Sequence, residues 1–263
     1  MSRRATFHDM LLLLALLAAL WVFHLYVRVL PTTVLGLAWA ALAAVVAAGL
    51  WRSSRLRRRA VLAVYLHPDS PWQRRLRGGL IMGTKAVGLG ALLALVLLLG
   101  IARPAGAATW VVLIASVPVL VGLRASMVAR MAPHAAAAWL PLASWRAAAW
   151  VTGLGLLAAL VTLALFEVRP DFAGVSLERA VWHLVEQESA RSPVAATLLQ
   201  VVAAIEGLRL WLAQQLMPAP AASLAQLFGW MLVLATEALF VWSYLRAGHG
   251  VLVLAGAYDR AAT

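Results

Sequence analysis

Six runs of about twenty predominantly apolar residues dominate the pattern of the chain, and short polar or basic segments separate them. A helix of about 20 such residues crosses about 30 Å of hydrocarbon, so each run is long enough for one crossing. The pattern therefore predicts an all-α polytopic membrane protein with six transmembrane helices. The predicted spans are residues 9–29, 34–51, 79–101, 108–128, 147–166 and 224–245.

The same pattern divides the chain into five consecutive parts. Residues 1–51 hold the first two transmembrane helices, and residues 52–77 form a basic cytoplasmic loop. Residues 78–167 hold helices three to five, and residues 168–223 form extracytoplasmic amphipathic helices. Residues 224–263 hold the sixth transmembrane helix and a cytoplasmic tail.

The first apolar run has a competing interpretation as a secretory signal peptide, because Arg3 and Arg4 precede it. The run is longer than the apolar part of a signal peptide, and no small-x-small cleavage site follows before Pro31. We expect an uncleaved transmembrane helix.

The connection between the fifth and sixth spans is too long for a plain loop, and its pattern predicts two helices that begin at the N-cap residues Ser176 and Ser192. The second helix, 194–217, is apolar enough to be a seventh span, which would move the C-terminus to the outside. Glu206 and Arg209 stand in its middle, and each charge would cost about 2.5–3.5 kcal/mol at the membrane centre. We therefore expect an interfacial or protein-buried helix, which gives the protein a small helical cap on its outer face.

Composition excludes several classes of protein. Of the 263 residues, 64% are hydrophobic and 12% are charged, whereas soluble domains carry about 45–50% apolar and about 25% charged residues. Soluble and disordered chains are therefore excluded. The absence of cysteine also excludes a disulfide scaffold and a thiolate metal site. The dominance of Ala, Leu and Arg is typical of a GC-rich bacterial genome.

The formal net charge of +12 follows the predicted topology. Of the 22 basic residues, sixteen fall on the side that holds both predicted termini and six on the other side. Cytoplasmic segments of membrane proteins collect arginine and lysine. We therefore expect a multi-pass protein of the bacterial inner membrane with its N- and C-termini in the cytoplasm.

Eight arginines concentrate in the predicted cytoplasmic loop. We expect them to rest on anionic lipid headgroups, and the alternative is a docking surface for a partner. Aromatic residues suited to base stacking are sparse (Tyr65 and Trp72), so nucleic acid is disfavoured as a partner. The arginines of this basic surface are Arg52, Arg55, Arg57, Arg58, Arg59, Arg74, Arg75 and Arg77.

Glu237 is the one acidic residue near the middle of a predicted span. An ionisable residue there is a candidate proton carrier or ion ligand. The competing interpretation is a neutral carboxyl group, or a carboxylate paired with a basic residue of a neighbouring helix. The intramembrane candidates for that pairing are His24, Lys85 and Arg124. We weigh the structural role above transport.

Catalytic and cofactor motifs are absent from the sequence. It contains no HExxH metalloprotease motif, no GxSxG nucleophile elbow and no glycine-rich phosphate loop. Gly248-His249-Gly250 is most simply the end of the sixth helix. We expect no enzymatic activity, no cofactor and no metal.

Small residues recur at four-residue spacing, most clearly at Gly79 and Gly83, with Gly90 further along the same helix. Such stripes let helix backbones approach closely, within one bundle or between subunits. The sequence favours a non-catalytic integral subunit of a multiprotein inner-membrane assembly of the secretion, conjugation or envelope-biogenesis type. The alternative is a transporter or channel for a proton-coupled or lipid-like solute that uses Glu237.

Overall fold

A computed structural model describes residues 3–65, 79–103, 106–136, 139–166, 170–172, 174–216 and 224–256, and within these ranges all regular secondary structure is helical. The eight helices of these ranges are α1 (Arg3–Tyr26), α2 (Thr32–Tyr65), α3 (Leu80–Ala102), α4 (Ala107–Met131), α5 (Leu140–Phe166), α6 (Leu177–Val185), α7 (Pro193–Leu216) and α8 (Leu224–Leu254).

Seven of these helices, all except α6, are long and apolar enough to cross a membrane. This is the architecture of a multi-pass helical membrane protein, as the apolar pattern predicted. The expected number of six candidate spans is corrected to seven, because α7 also qualifies on length and composition. Its two charged residues interrupt an otherwise apolar helix without lowering the mean hydropathy enough to exclude it.

α8 is the central helix of the bundle, in contact with α1, α2, α3, α5 and α7. The largest apolar core joins all of the long helices except α7. Two of the glycines illustrate how closely the helix backbones approach each other. A Cβ atom on Gly250 of α8 would overlap the carbonyl oxygen of Val45 on α2, and one on Gly90 of α3 would lie 2.9 Å from the carbonyl oxygen of Ala43. Both positions require glycine because helix backbones meet there.

The ends of α1, α3 and α5 and the beginning of α2 lie at one end of the bundle, which we call the cap end. Here α6 and α7 pack against each other and form the cap. Gly207 of α7 lies against α6, since a Cβ there would sit 2.9 Å from Cα of Val181. The predicted N-caps are confirmed: Ser176 Oγ accepts a hydrogen bond from the Arg179 amide, and Ser192 Oγ accepts one from the Ala195 amide.

Both ends of α7 contact the cap end of the bundle. Before its first turn, the hydroxyl groups of Ser192 and Thr32 lie 2.6 Å apart. In its last turn, the side-chain amide of Gln214 donates to the carbonyl oxygen of Pro170 and accepts from the amide of Phe172. A helix of 24 residues is about 36 Å long. Over this length, α7 connects the beginning of α2 to the segment between α5 and α6.

Four helices extend six or more residues beyond the predicted spans. α1 begins at Arg3 instead of residue 9, and α5 begins at Leu140 instead of residue 147. α2 continues past residue 51 to Tyr65, and α8 continues past residue 245 to Leu254. The interpretation of Gly248-His249-Gly250 as a helix end is wrong, because these residues lie inside α8 and are buried. Small residues there serve close packing against α1 and α2. The part of the basic loop at 66–78 lies outside the described residues.

Candidate functional site

A cavity of about 530 Å³ lies between the cap and the bundle. Most of its lining is apolar, from the ends of α3, α4, α5 and the facing side of α7. Four charged side chains from three helices converge on one wall. We call them the four-charge cluster: Arg103 at the end of α3, Glu206 and Arg209 of α7, and Glu237 of α8.

Arg209 stands at the centre of the four-charge cluster. Its Nη1 lies 2.5 Å from Glu237 Oε1, and its Nη2 lies 3.0 Å from Glu206 Oε1. Arg103 contacts the same two carboxylates, at 3.3 Å from Glu237 and 3.6 Å from Glu206. Positive and negative groups therefore alternate around the cluster, and its formal charges sum to zero.

Local structure explains why these four groups meet. Glu206 and Arg209 are three residues apart on α7 and lie on the same face of that helix. Arg103 is the first residue after α3, so its side chain extends from the helix end. Its guanidinium carbon lies 6.0 Å from the ring centroid of Phe240, one turn beyond Glu237 on α8. The cluster thus ties α3, α7 and α8 together.

Burial divides the cluster into an inner and an outer pair. The side chains of Arg209 and Glu237 are 4% and 7% exposed, whereas those of Arg103 and Glu206 are 20% and 22% exposed. A charge buried in a low-dielectric environment destabilises the fold strongly when its partner is removed. The inner pair therefore has the stronger structural role, and the outer pair faces the cavity.

The partners of Glu237 are Arg103 and Arg209, and not the residues that the sequence suggested. Arg124 pairs instead with Asp9, at 2.6 Å between Nη1 and Oδ2, near the opposite end of the bundle. Both side chains are almost completely buried. Asp9 was not among the candidate site residues, although it is the only acidic residue in α1 and directly precedes a long apolar run.

His24 and Lys85 do not contact Glu237 either. His24 Nδ1 lies 2.6 Å from the carbonyl oxygen of Ile101, which can only accept, so Nδ1 is the donor of this hydrogen bond. Its ring packs edge-on against Trp110. Lys85 is exposed on the first half of α3. Glu237 itself lies near the middle of α8 and packs level with Arg103 at the end of α3.

His249 is a second buried polar group, which the sequence pattern did not single out as a site residue. Its Nε2 lies 2.7 Å from Ser53 Oγ, and its ring centroid lies 5.1 Å from that of Trp145. These contacts join α8 to α2 and α5 in the half of the bundle away from the cap. The signal that could have revealed it is the pair of flanking glycines, which marks a tightly packed helix face.

The basic surface is described only in part. Five arginines, Arg52, Arg55, Arg57, Arg58 and Arg59, lie on the last turns of α2, and most of them are exposed. The Arg55 guanidinium lies 4.9 Å from the ring centroid of Trp51. Arg74, Arg75 and Arg77 lie outside the described residues.

The predicted packing glycines fall into two groups. Gly90 lies against the backbone of α2, whereas a Cβ on Gly79 or Gly83 would have nothing within 4 Å. The surface around these two is an open groove beside Trp51 and Arg55.

No group of three or more His, Asp or Glu side chains with metal-binding geometry occurs among the residues that the structure describes. Comparison with protein-family models, with curated proteins and with solved structures finds no match.

Proposed function

We propose that the protein is a non-catalytic integral subunit of a multiprotein assembly in the bacterial inner membrane. The observation that carries this proposal is the open groove on the outside of the bundle, where the N-cap Gly79 and the α3 residues Gly83 and Gly88 have open space at their Cβ positions. Elsewhere in α3, the space beside Gly90 and Gly100 is occupied by side chains and backbone of the same chain. The groove offers the close backbone approach that a transmembrane helix of another subunit needs.

The charge distribution supports the same proposal. Arg55 lines the groove and belongs to the basic surface, so the groove continues into a positively charged region. The most suitable partner is a membrane protein with a small-residue helix face and an acidic cytoplasmic segment. Leu80 and Ile81, which flank Gly79, are 89% and 85% exposed. Such side chains would pack against lipid or a partner helix.

The assembly proposal is tested by a substitution that fills the groove. Gly83→Leu should abolish stoichiometric co-purification of a membrane partner in mild detergent. Gly155→Leu is the matched control, since Gly155 on α5 also has open space at its Cβ position. A photo-crosslinking residue at Thr84 should capture the same partner. Retention of the partner by Gly83→Leu, or its equal loss with Gly155→Leu, would refute the proposal.

The membrane topology is part of this proposal. We infer that six helices cross, that α7 lies on the outer surface, and that both termini are cytoplasmic. The contacts of both ends of α7 with the cap end support this arrangement. The chain contains no cysteine, so single cysteines can be introduced without background. Cysteine at Gln187 should react with an impermeant maleimide in spheroplasts, and cysteine at His134 only after lysis. Equal labelling of both would exclude this topology.

Transport of a polar or lipid-like solute is the second candidate. It is favoured by the cavity, whose volume lies in the range of small-molecule sites, and by the charged wall beside it. In this case Glu237→Gln would leave a folded protein that no longer transports. If the four-charge cluster is structural, the same substitution lowers stability, and assembly with partners is retained in the fraction that folds.

A further inference from the structure

The helix pair α5 and α8 leaves a second large recess, on the side of the bundle away from the cap. It has a volume of about 710 Å³ and is lined mainly by apolar and aromatic side chains. Three arginines also line it: Arg57 of α2, Arg146 of α5 and Arg246 of α8. No carboxylate is among the described lining residues.

The register of the two helices places these arginines at one end of the recess. α5 and α8 are antiparallel, because Trp145 contacts the ring of His249 while a Cβ on Gly153 would contact the side chains of Leu245 and Val241. Arg146 and Arg246 are therefore close to the same level, near the beginning of α5 and the last turns of α8. The lining then extends to Leu157 on α5 and Ala235 on α8.

The dimensions of the recess match one leaflet of a bilayer. From Arg146 to Leu157, and from Arg246 to Ala235, each helix advances eleven residues, which is about 16 Å. The hydrocarbon core is about 30 Å thick, so the recess is about half as long as the core is thick. An acyl chain that enters the recess would have its headgroup at the level of the arginines.

The aromatic residues are also arranged as a lipid site requires. Trp150 and Trp242 line the recess and are 70% and 42% exposed. The guanidinium carbon of Arg246 lies 5.7 Å from the ring centroid of Trp242, which holds the cation against the apolar wall. Indole rings favour the headgroup level of a membrane, and basic pockets between helices on the cytoplasmic side bind anionic headgroups.

We propose that the α5–α8 recess is a specific binding site for one anionic phospholipid, whose phosphate contacts Arg57, Arg146 and Arg246 and whose acyl chain lies between α5 and α8. The inference rests on the cytoplasmic orientation given under the proposed function. It goes beyond a general attraction of the basic surface for lipid, because it assigns an acyl-chain groove as well as charges.

The test uses the full chain, purified in mild detergent, delipidated and titrated with dioleoyl phosphatidylglycerol. Dioleoyl phosphatidylcholine is the matched zwitterionic lipid, and native mass spectrometry counts the bound lipid. We expect one phosphatidylglycerol per chain. Arg146→Gln should weaken its binding about fivefold, and the double variant with Arg246→Gln should weaken it about thirtyfold. These factors follow from the binding free energy that one arginine contributes near an anionic surface.

Two controls separate a built site from adsorption to any basic surface. Arg130→Gln changes an exposed arginine of α4 outside the recess and should leave binding within about twofold of the wild type. Ala238→Trp fills the apolar part of the recess without changing any charge, and it should weaken phosphatidylglycerol binding at least as much as Arg146→Gln.

The proposal is overturned if phosphatidylcholine is retained equally well, if Arg130→Gln weakens binding as much as Arg146→Gln, or if Ala238→Trp binds like the wild type. Size-exclusion profiles identify any variant that fails to fold, and such a variant is replaced by Ala235→Trp at the same wall. The measurement requires no partner protein. Its failure is therefore distinct from failure of the assembly proposal, which the groove variant Gly83→Leu tests.

Discussion

The protein buries ion pairs in two different surroundings. Asp9 and Arg124 form an almost fully buried pair within the main apolar core, and no described cavity borders it. The four-charge cluster borders a cavity, and two of its members remain one-fifth exposed. In a low-dielectric core the loss of one partner leaves a buried charge uncompensated, whereas beside a cavity water and a second partner reduce that cost. We therefore expect the Asp9–Arg124 pair to contribute more to the stability of the bundle than the four-charge cluster contributes to the attachment of the cap.

The largest effect is expected from Asp9→Asn. The substitution leaves the Arg124 guanidinium in the core without its carboxylate, and the free energy of unfolding should fall by about 3–5 kcal/mol. Thermal unfolding in mild detergent, followed by tryptophan fluorescence, measures the change.

Two controls accompany this variant. Glu186→Gln, at an exposed site after α6, should shift stability by less than about 0.5 kcal/mol. Replacing both Asp9 and Arg124 by leucine should recover most of the loss, because the pair is removed together. A variant Asp9→Asn as stable as the wild type would contradict the structural role of this pair.

A smaller loss is expected from Glu237→Gln. Arg209 keeps Glu206 as a partner at 3.0 Å, so the cost should be about 1–3 kcal/mol, less than for Asp9→Asn. The same unfolding measurement compares the two variants directly. A loss equal to that of Asp9→Asn would mean that the cavity offers no compensation, and the contrast between the two regions would disappear.

The smallest effect in this series belongs to Arg28→Gln. Arg28 contacts both carboxylate oxygens of Glu188 at 3.1 Å, between the end of α1 and the cap, but its side chain is 44% exposed. Exposed pairs contribute about 0–1 kcal/mol. The expected change is therefore below about 1 kcal/mol, measured at low and high salt, since salt screens an exposed pair. A loss above 2 kcal/mol would show that the cap depends on this contact as strongly as on the cluster.

The sequence predicted the helices that consist of a single apolar run, such as α3 and α4, because hydrophobic length alone specifies them. It misjudged the ends of α2 and α8. Arg52–Arg59 and Gly248–Gly250 suggested helix ends, yet arginine is a good helix former and glycine is tolerated where backbones must meet. N-caps at Ser176 and Ser192 were predicted correctly because their hydrogen bonds are local.

The candidate site was only partly predictable, because the sequence shows which residues are charged but not which of them meet. Glu206, Arg209 and Glu237 were identified as unusual charges within apolar helices, a signal present in the sequence itself. Their pairing depends on α7 packing against the end of α3 and the middle of α8, which no periodicity encodes. Arg103 was missed because it follows α3 in a turn, where an arginine is ordinary. The Asp9–Arg124 pair was missed because its partners are 115 residues apart.

We expect Arg209 and Glu237 to fasten the cap to the bundle as one interacting pair. A double-mutant cycle with Arg209→Leu and Glu237→Leu tests it most directly, with the free energy of unfolding as the readout. We predict that each single variant is destabilised and that the double variant recovers at least about 2 kcal/mol relative to the sum of the two losses. Losses that add to within about 0.5 kcal/mol would contradict the claim.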